Sequence, residues 1–353
     1  MAFLLEYGLF LAKIVTVLVG LVALLVIVKS LGARSGGAKG ELEITDLTEQ
    51  YKHTVEHLEA YLHDEAFLKA RDKADKKKEK AEQKSREKSL KQAAKQGDLA
   101  SKRDSHLFVL DFHGSIDAKE VASLREEVSA ILAVAESGDE VLLRLETGGG
   151  MVHGYGLASS QLDRIKAAGL PLTIAVDKVA ASGGYMMACI ADKIVSAPFA
   201  IVGSIGVVAQ LPNFHKLLKK NDIEFEQLTA GEYKRTLTMF GENTDKARDK
   251  FKQELEETHQ LFKDFIAERR PALDLNQVAT GEHWFGTQAK ALGLVDDIQT
   301  SDDLISAACK TKKVLQLHYV QKKKLADKLA GVAGEAADNV LLKLISRGQR
   351  PLV

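Results

Sequence analysis

From Leu107 onward the chain repeats one texture. Short runs rich in Val, Ile, Leu and Phe, at Leu107 to Phe112, Val141 to Leu145, Leu172 to Val176 and Ile194 to Ala197, alternate with helical patterns such as Val121, Leu124, Val128 and Ile131. That alternation restricts the fold more than any other feature, because strands separated by helices pair in parallel and bury both faces beneath those helices. The expected class is therefore α/β. The pattern continues through a helix over Lys246 to Arg270, the stretch Gly281 to Leu294 and a last strand over Val314 to Val320, so the globular domain is placed at 107–320. A chain of 353 residues with 45% hydrophobic content has room for one core of about 200 residues plus non-globular flanks.

The flanks read differently. Tyr7 to Val28 is apolar apart from Lys13, roughly 22 residues, which is long enough for a helix to cross a bilayer, and residues 1–31 are read as a transmembrane anchor. Glu6 stands where a cleaved signal peptide carries positive charge, and no small-x-small site follows. Leu47, Tyr51, Val55, Leu58 and Leu62 then mark one apolar helical stripe. From Lys69 to Arg103 there are 14 Lys and Arg against 6 Asp and Glu, counted along the chain, so this stretch buries no core. Without interleaved aromatic residues it reads as a solvated helical linker and not as a nucleic-acid arm, and residues 40–105 form a charged helical leader. Lys plus Arg and Asp plus Glu both total 49 over the whole chain, which removes any general attraction to nucleic acid. In the tail 321–353, Leu325, Leu329, Val332, Ala336, Val340 and Leu344 share one helical face. Cys189 and Cys309 lack CxxC or His partners, so neither a disulfide framework nor a zinc site is indicated.

Two glycine-rich segments stand where chemistry is expected. In Val179-Ala180-Ala181-Ser182-Gly183-Gly184-Tyr185 a serine opens a short apolar helix, as a nucleophile or as an ordinary N-cap. A Gly183 amide beside it points where an oxyanion would form. Leu145-Glu146-Thr147-Gly148-Gly149-Gly150 follows a strand directly, so it is either a plain turn or a crevice wall in which the Gly149 amide supplies a second donor. A serine needs a base. Of the ten histidines only His113 and His153 fall beside the glycine-rich strand ends, and neither has an obvious acidic orienter. Lys234, in Thr229-Ala230-Gly231-Glu232-Tyr233-Lys234-Arg235 after an expected strand Glu224 to Leu228, is the other option, since a buried lysine gives up its proton more easily, although on local sequence alone an ordinary surface lysine is the default reading.

In order and spacing these pieces resemble the signal peptide peptidase A family, and more closely its SohB branch: a strand ending in a Gly-rich turn, then AASGGYMMA, VGSIGV and AGEYKRT. The string Thr280 to Asp296, with Leu292-Gly293-Leu294-Val295-Asp296 at its end, resembles the family's closing motif. The resemblance covers roughly 107–312 and implies Ser182 as nucleophile, Lys234 as general base, Ser204 orienting the lysine, and Gly149 with Gly183 as oxyanion amides. It departs at one point: many members have Asn-Ser-Pro-Gly-Gly where this chain has Leu145-Glu146-Thr147-Gly148-Gly149.

The resemblance further implies a Clp/crotonase-like spiral fold, a ring or dome homo-oligomer, no cofactor or metal, and peptide or membrane-protein substrates such as signal peptides and misfolded fragments. It also implies a bacterial inner membrane location with the catalytic domain on the periplasmic side. Lys29, Arg34 and Lys39 argue the other way, because positive charge after an anchor is retained in the cytoplasm. Two other classes stay in view. A crotonase-like acyl-CoA enzyme would use the paired amides without Ser182, and a catalytically silent membrane scaffold would use neither.

Overall fold

The computed structural model describes Lys13, residues 40–95 and residues 103–321. The stretch 7–28 read as an anchor lies outside these residues apart from Lys13, as does the tail beyond 321. Among the described residues no helix is long and apolar enough to cross a membrane. Glu43–His318 make one compact unit, which holds the site.

Ten strands are present among the described residues: β1 Glu41–Asp46, β2 His106–His113, β3 Glu140–Glu146, β4 Leu172–Val176, β5 Val179–Ala181, β6 Lys193–Ser196, β7 Ile201–Gly203, β8 His283–Phe285, β9 Asp297–Ile298 and β10 Lys313–Val320. Seven form one sheet in the order β1-β10-β2-β3-β4-β6-β9, and from β10 to β9 every neighbour pairs in parallel. The α/β expectation is met. Val141, Leu142, Leu143 and Leu145 of β3 are all buried, as a central parallel strand covered on both faces requires. Helix Val121–Val134 buries Val121, Leu124, Val128 and Ile131, and helix Val152–Ala167 buries Tyr155, Ala158, Leu162 and Ile165, each at helical spacing.

Helix Leu47–Leu62 starts under an Asp46 cap that accepts from the Glu49 amide. Its stripe is used only in part. Leu47 and Tyr51 pack on the core that contains Leu107, Val109 and Val314, whereas Leu58 and Leu62 are exposed.

A second, smaller sheet runs β5-β7-β8, with β5 and β7 parallel and β8 antiparallel. An isolated bridge between Thr147 and Ala180 ties β5 to the glycine-rich end of β3. The strand expected at Glu224 to Leu228 does not form. That segment has no partner strand, and Phe225 and Leu228 are exposed.

Asp296, the end of the closing motif, is a structural clamp. Its carboxylate accepts from the Ile194 amide at 2.7 Å and from both terminal nitrogens of Arg270, at 2.7 and 3.0 Å, joining helix Asp245–Arg269 to β6. Burial would raise its pKa, but the Arg270 and Ile194 hydrogen bonds outweigh that and hold it below the ordinary 3.8. Asp296→Ala is expected to lower stability by about 2 kcal/mol, less than for a fully buried pair because Asp296 is one-third exposed. A depressed carboxylate stabilises above its unfolded pKa and loses that effect as pH falls. Thermal unfolding should therefore separate wild type from variant fully above pH about 4 and progressively less below it.

Candidate active site

The site begins where two parallel strands stop. β5 and β7 pair in the register Ala181 with Gly203, so the next residues, Ser182 and Ser204, stand side by side at the strand ends. The Ser182 amide donates to the Gly203 carbonyl at 2.8 Å, and the Ser204 amide donates to Glu282 at 2.7 Å. Both serines take the left-handed half of φ space, 53° at Ser182 with ψ −117°, and 51° at Ser204. Such backbone costs on the order of 1–3 kcal/mol for a residue with a Cβ and persists only where its surroundings enforce it. Here it turns Ser182 abruptly out of β5 into helix Gly183–Ala188, with no capping bond from its own side chain. The ordinary N-cap reading of Ser182 thus has no support.

Close glycine contacts bring the two loops together. A Cβ on Gly149 would lie 2.7 Å from the Gly183 nitrogen and 2.8 Å from the Ser182 Cβ, so the glycine loop lies directly against the Ser182 turn. Gly149, at φ 84°, is the position that needs its missing side chain. Among the described residues the Gly183 amide meets no protein acceptor, nor does that of Gly150. The Gly149 amide is engaged, donating to the Thr147 hydroxyl oxygen at 3.1 Å.

Ser182, Ser204, Gly149 and Gly183 all line one cleft of about 1210 Å³. Its walls are largely apolar: Ile116, Met151, Val152 and Met186 on one side, Leu261, Phe262 and Phe265 from helix Asp245–Arg269 on the other. Lys234 is not among the lining residues. It lies on an exposed turn, 231–234, closed by its own amide to the Gly231 carbonyl. His113 and His153 are exposed and also outside the cleft.

Three contributors were invisible in the sequence. His259 lines the cleft and its Nε2 is buried without a partner, a placement that depends on how the long helix docks. Thr147 and Tyr155 are buried beneath the glycine loop with their hydroxyls in hydrogen-bond contact. Burial pushes the Tyr155 phenol up, so it stays protonated. Cys189 offers no ready nucleophile, because burial pushes its thiol up to about 12.

With this geometry described, sequence comparison adds the ancestry. Residues 2–162 match the model of the peptidase family S49 N-terminal region, and residues 164–315 match that of peptidase family S49. A probable protease SohB of Haemophilus influenzae is 53% identical over 344 residues, 98% of this chain and 97% of that one. A probable protease SohB of Buchnera aphidicola subsp. Acyrthosiphon pisum is 51% identical over 345 residues, 98% of each chain. A putative protease of Methanocaldococcus jannaschii is 33% identical over 193 residues, 53% of this chain and 58% of that one.

Proposed function

The chain belongs to peptidase family S49, in its SohB branch, and is thus a peptidase; from that premise we propose that it is a membrane-anchored serine endopeptidase with Ser182 as nucleophile and Lys234 as general base. The observation that carries the reading is Ser182 itself, held at φ 53° on a strand-to-helix turn at the edge of the cleft, beside unpartnered amides. A crotonase-like acyl-CoA enzyme would need the amides and no strained serine, and a scaffold would need neither.

In the proposed reaction Lys234 takes the Ser182 proton as Oγ attacks a peptide carbonyl, and the negative charge on the former carbonyl oxygen meets the Gly183 amide and an amide of the Gly149–Gly150 turn. The lysinium then protonates the leaving amine as the C–N bond breaks. Lys234 next takes a proton from water, hydroxide adds to the acyl carbon, and the acid leaves as Ser182 regains its proton. Ser204, next to Ser182, would hold the neutral amine by a hydrogen bond.

Lys234 must reach the cleft for this to run. The segment that carries it, 207–244, exposes Val208, Leu211, Leu217, Phe225 and Leu228, apolar surface that supports closure either onto its own cleft or onto that of a neighbouring copy. The finer fold reading, a Clp/crotonase-like spiral anchored in a bacterial inner membrane with its catalytic domain in the periplasm, belongs to the same proposal. Membrane-derived peptides fit the apolar cleft walls.

A fluorophosphonate probe on the purified full chain tests the class. Labelling confined to Ser182 and lost in Lys234→Ala is the expected result, and labelling that ignores Lys234 would sink the dyad. Mixing Ser182→Ala with Lys234→Ala protein locates the base: recovered hydrolysis assigns it to a neighbouring copy, and continued silence assigns it to the same chain.

A further inference from the structure

Beneath the glycine loop, Thr147 is bonded both to the strand that ends in Ser182 and to the Gly149 turn. Its amide donates to Val179 at 2.9 Å and its carbonyl accepts from Ala181 at 3.1 Å, so its backbone is stitched along the strand that ends in Ser182. Its side-chain oxygen accepts from the Gly149 amide at 3.1 Å. Its hydroxyl also contacts that of Tyr155 and the Gly114 carbonyl, the latter at 3.1 Å. Tyr155 donates to the Ser115 carbonyl at 2.8 Å, and the Met151 amide to Ile116 at 2.8 Å, so the loop after β3 is laced to the loop after β2. The Tyr155 ring lies against the opposite wall, where a Cβ on Gly183 would come within 2.5 Å of its Cγ.

We propose that the Thr147 and Tyr155 hydroxyls are a positioning pair for acyl transfer, drawing the Gly149 amide inward so that the Gly150 amide, with that of Gly183, meets the oxyanion. The inference rests on Ser182 being the nucleophile. Two observations converge on it. Of the two successive amides in the loop, one is bound by Thr147 and the other has no protein acceptor among the described residues. Gly150, like Gly183, lines the cleft. Both side chains are 2% exposed or less, which keeps water from competing for these bonds.

Steady-state hydrolysis of a chromogenic peptide by the full chain decides it. Thr147→Val, of nearly equal size, is expected to lower kcat about 10–100-fold with KM within about twofold, because the loss falls on the transition state. Thr147→Ser keeps the hydroxyl and should stay within about twofold of wild type. Tyr155→Phe keeps the ring against Gly183 and should lower kcat about fivefold or more. Wild-type kcat in Thr147→Val overturns the pair. If that variant does not fold, Tyr155→Phe decides: an unchanged kcat overturns the pair, and a lowered kcat with intact Thr147→Ser supports it. A wild type that neither cleaves peptide nor takes a fluorophosphonate overturns the serine reading instead, which is a distinct outcome.

Discussion

Replacing Ser182 by alanine is expected to lower kcat/KM for peptide hydrolysis by at least about a thousandfold while leaving the fold intact. Alanine keeps the Cβ and with it the backbone strain at φ 53°, so the unfolding temperature should barely move. Glycine is the informative companion. Ser182→Gly removes the Cβ that makes this backbone costly and should raise stability by about 1 kcal/mol, although glycine's looser unfolded chain offsets part of the gain. Activity would be equally lost. A protein that becomes firmer when the Cβ is removed, and not when the hydroxyl alone is, has been holding the backbone of that residue under strain, and thermal unfolding of the two variants reads this directly. Lys234→Ala should match the alanine variant to within about tenfold, since a general base contributes about 10²–10⁴. Unchanged hydrolysis in Ser182→Ala would dismiss the serine mechanism.

How much of this was legible beforehand follows from which interactions are local. β4 was read residue for residue, and β2, β3, β6 and β10 to within a residue or so, because a buried parallel strand announces itself as an unbroken apolar run. The helix Asp245–Arg269 was equally plain. β5, β7 and β8 were not. Three residues carry no periodicity, and their identity as strands comes from pairing with one another and from the Thr147 bridge.

The same division runs through the site. Ser182, Ser204, Gly149 and Gly183 lie at strand ends marked by glycine, and the structure gathers them in one cleft. Thr147 and Tyr155 carry no such mark, since nothing in their sequence neighbours discloses that their hydroxyls meet. Lys234 shows the limit from the other side. Its motif is legible in the chain, but its place depends on packing: the turn is tied to helix Asp245–Arg269 through the Glu232–Lys246 ion pair at 2.6 Å, and Lys234 stays exposed.

A single methyl group at Gly149 should cost nearly as much activity as losing the nucleophile. Alanine at φ 84° is strained by about 1 kcal/mol on its own account. The larger effect is spatial: the new carbon would lie 2.7 Å from both the Ala181 carbonyl oxygen and the Gly183 nitrogen, and 2.8 Å from the Ser182 Cβ. Two of those neighbours are backbone atoms, at the end of β5 and the start of helix Gly183–Ala188, so the loop must give way, and the amides opposite Gly183 move with it. Losing one oxyanion donor costs about 10²–10³ in kcat. Gly149→Ala is therefore expected to lose about that factor and about 2 kcal/mol of stability, measured by hydrolysis and by thermal unfolding. Gly148→Ala is the control. Nothing lies within 4 Å of a Cβ there, so stability should hold within about 0.5 kcal/mol and activity within a few fold. Equal losses at the two positions would mean that the catalytic turn does not depend on the close approach of Gly149 to Ser182, and the oxyanion assignment would fall with it.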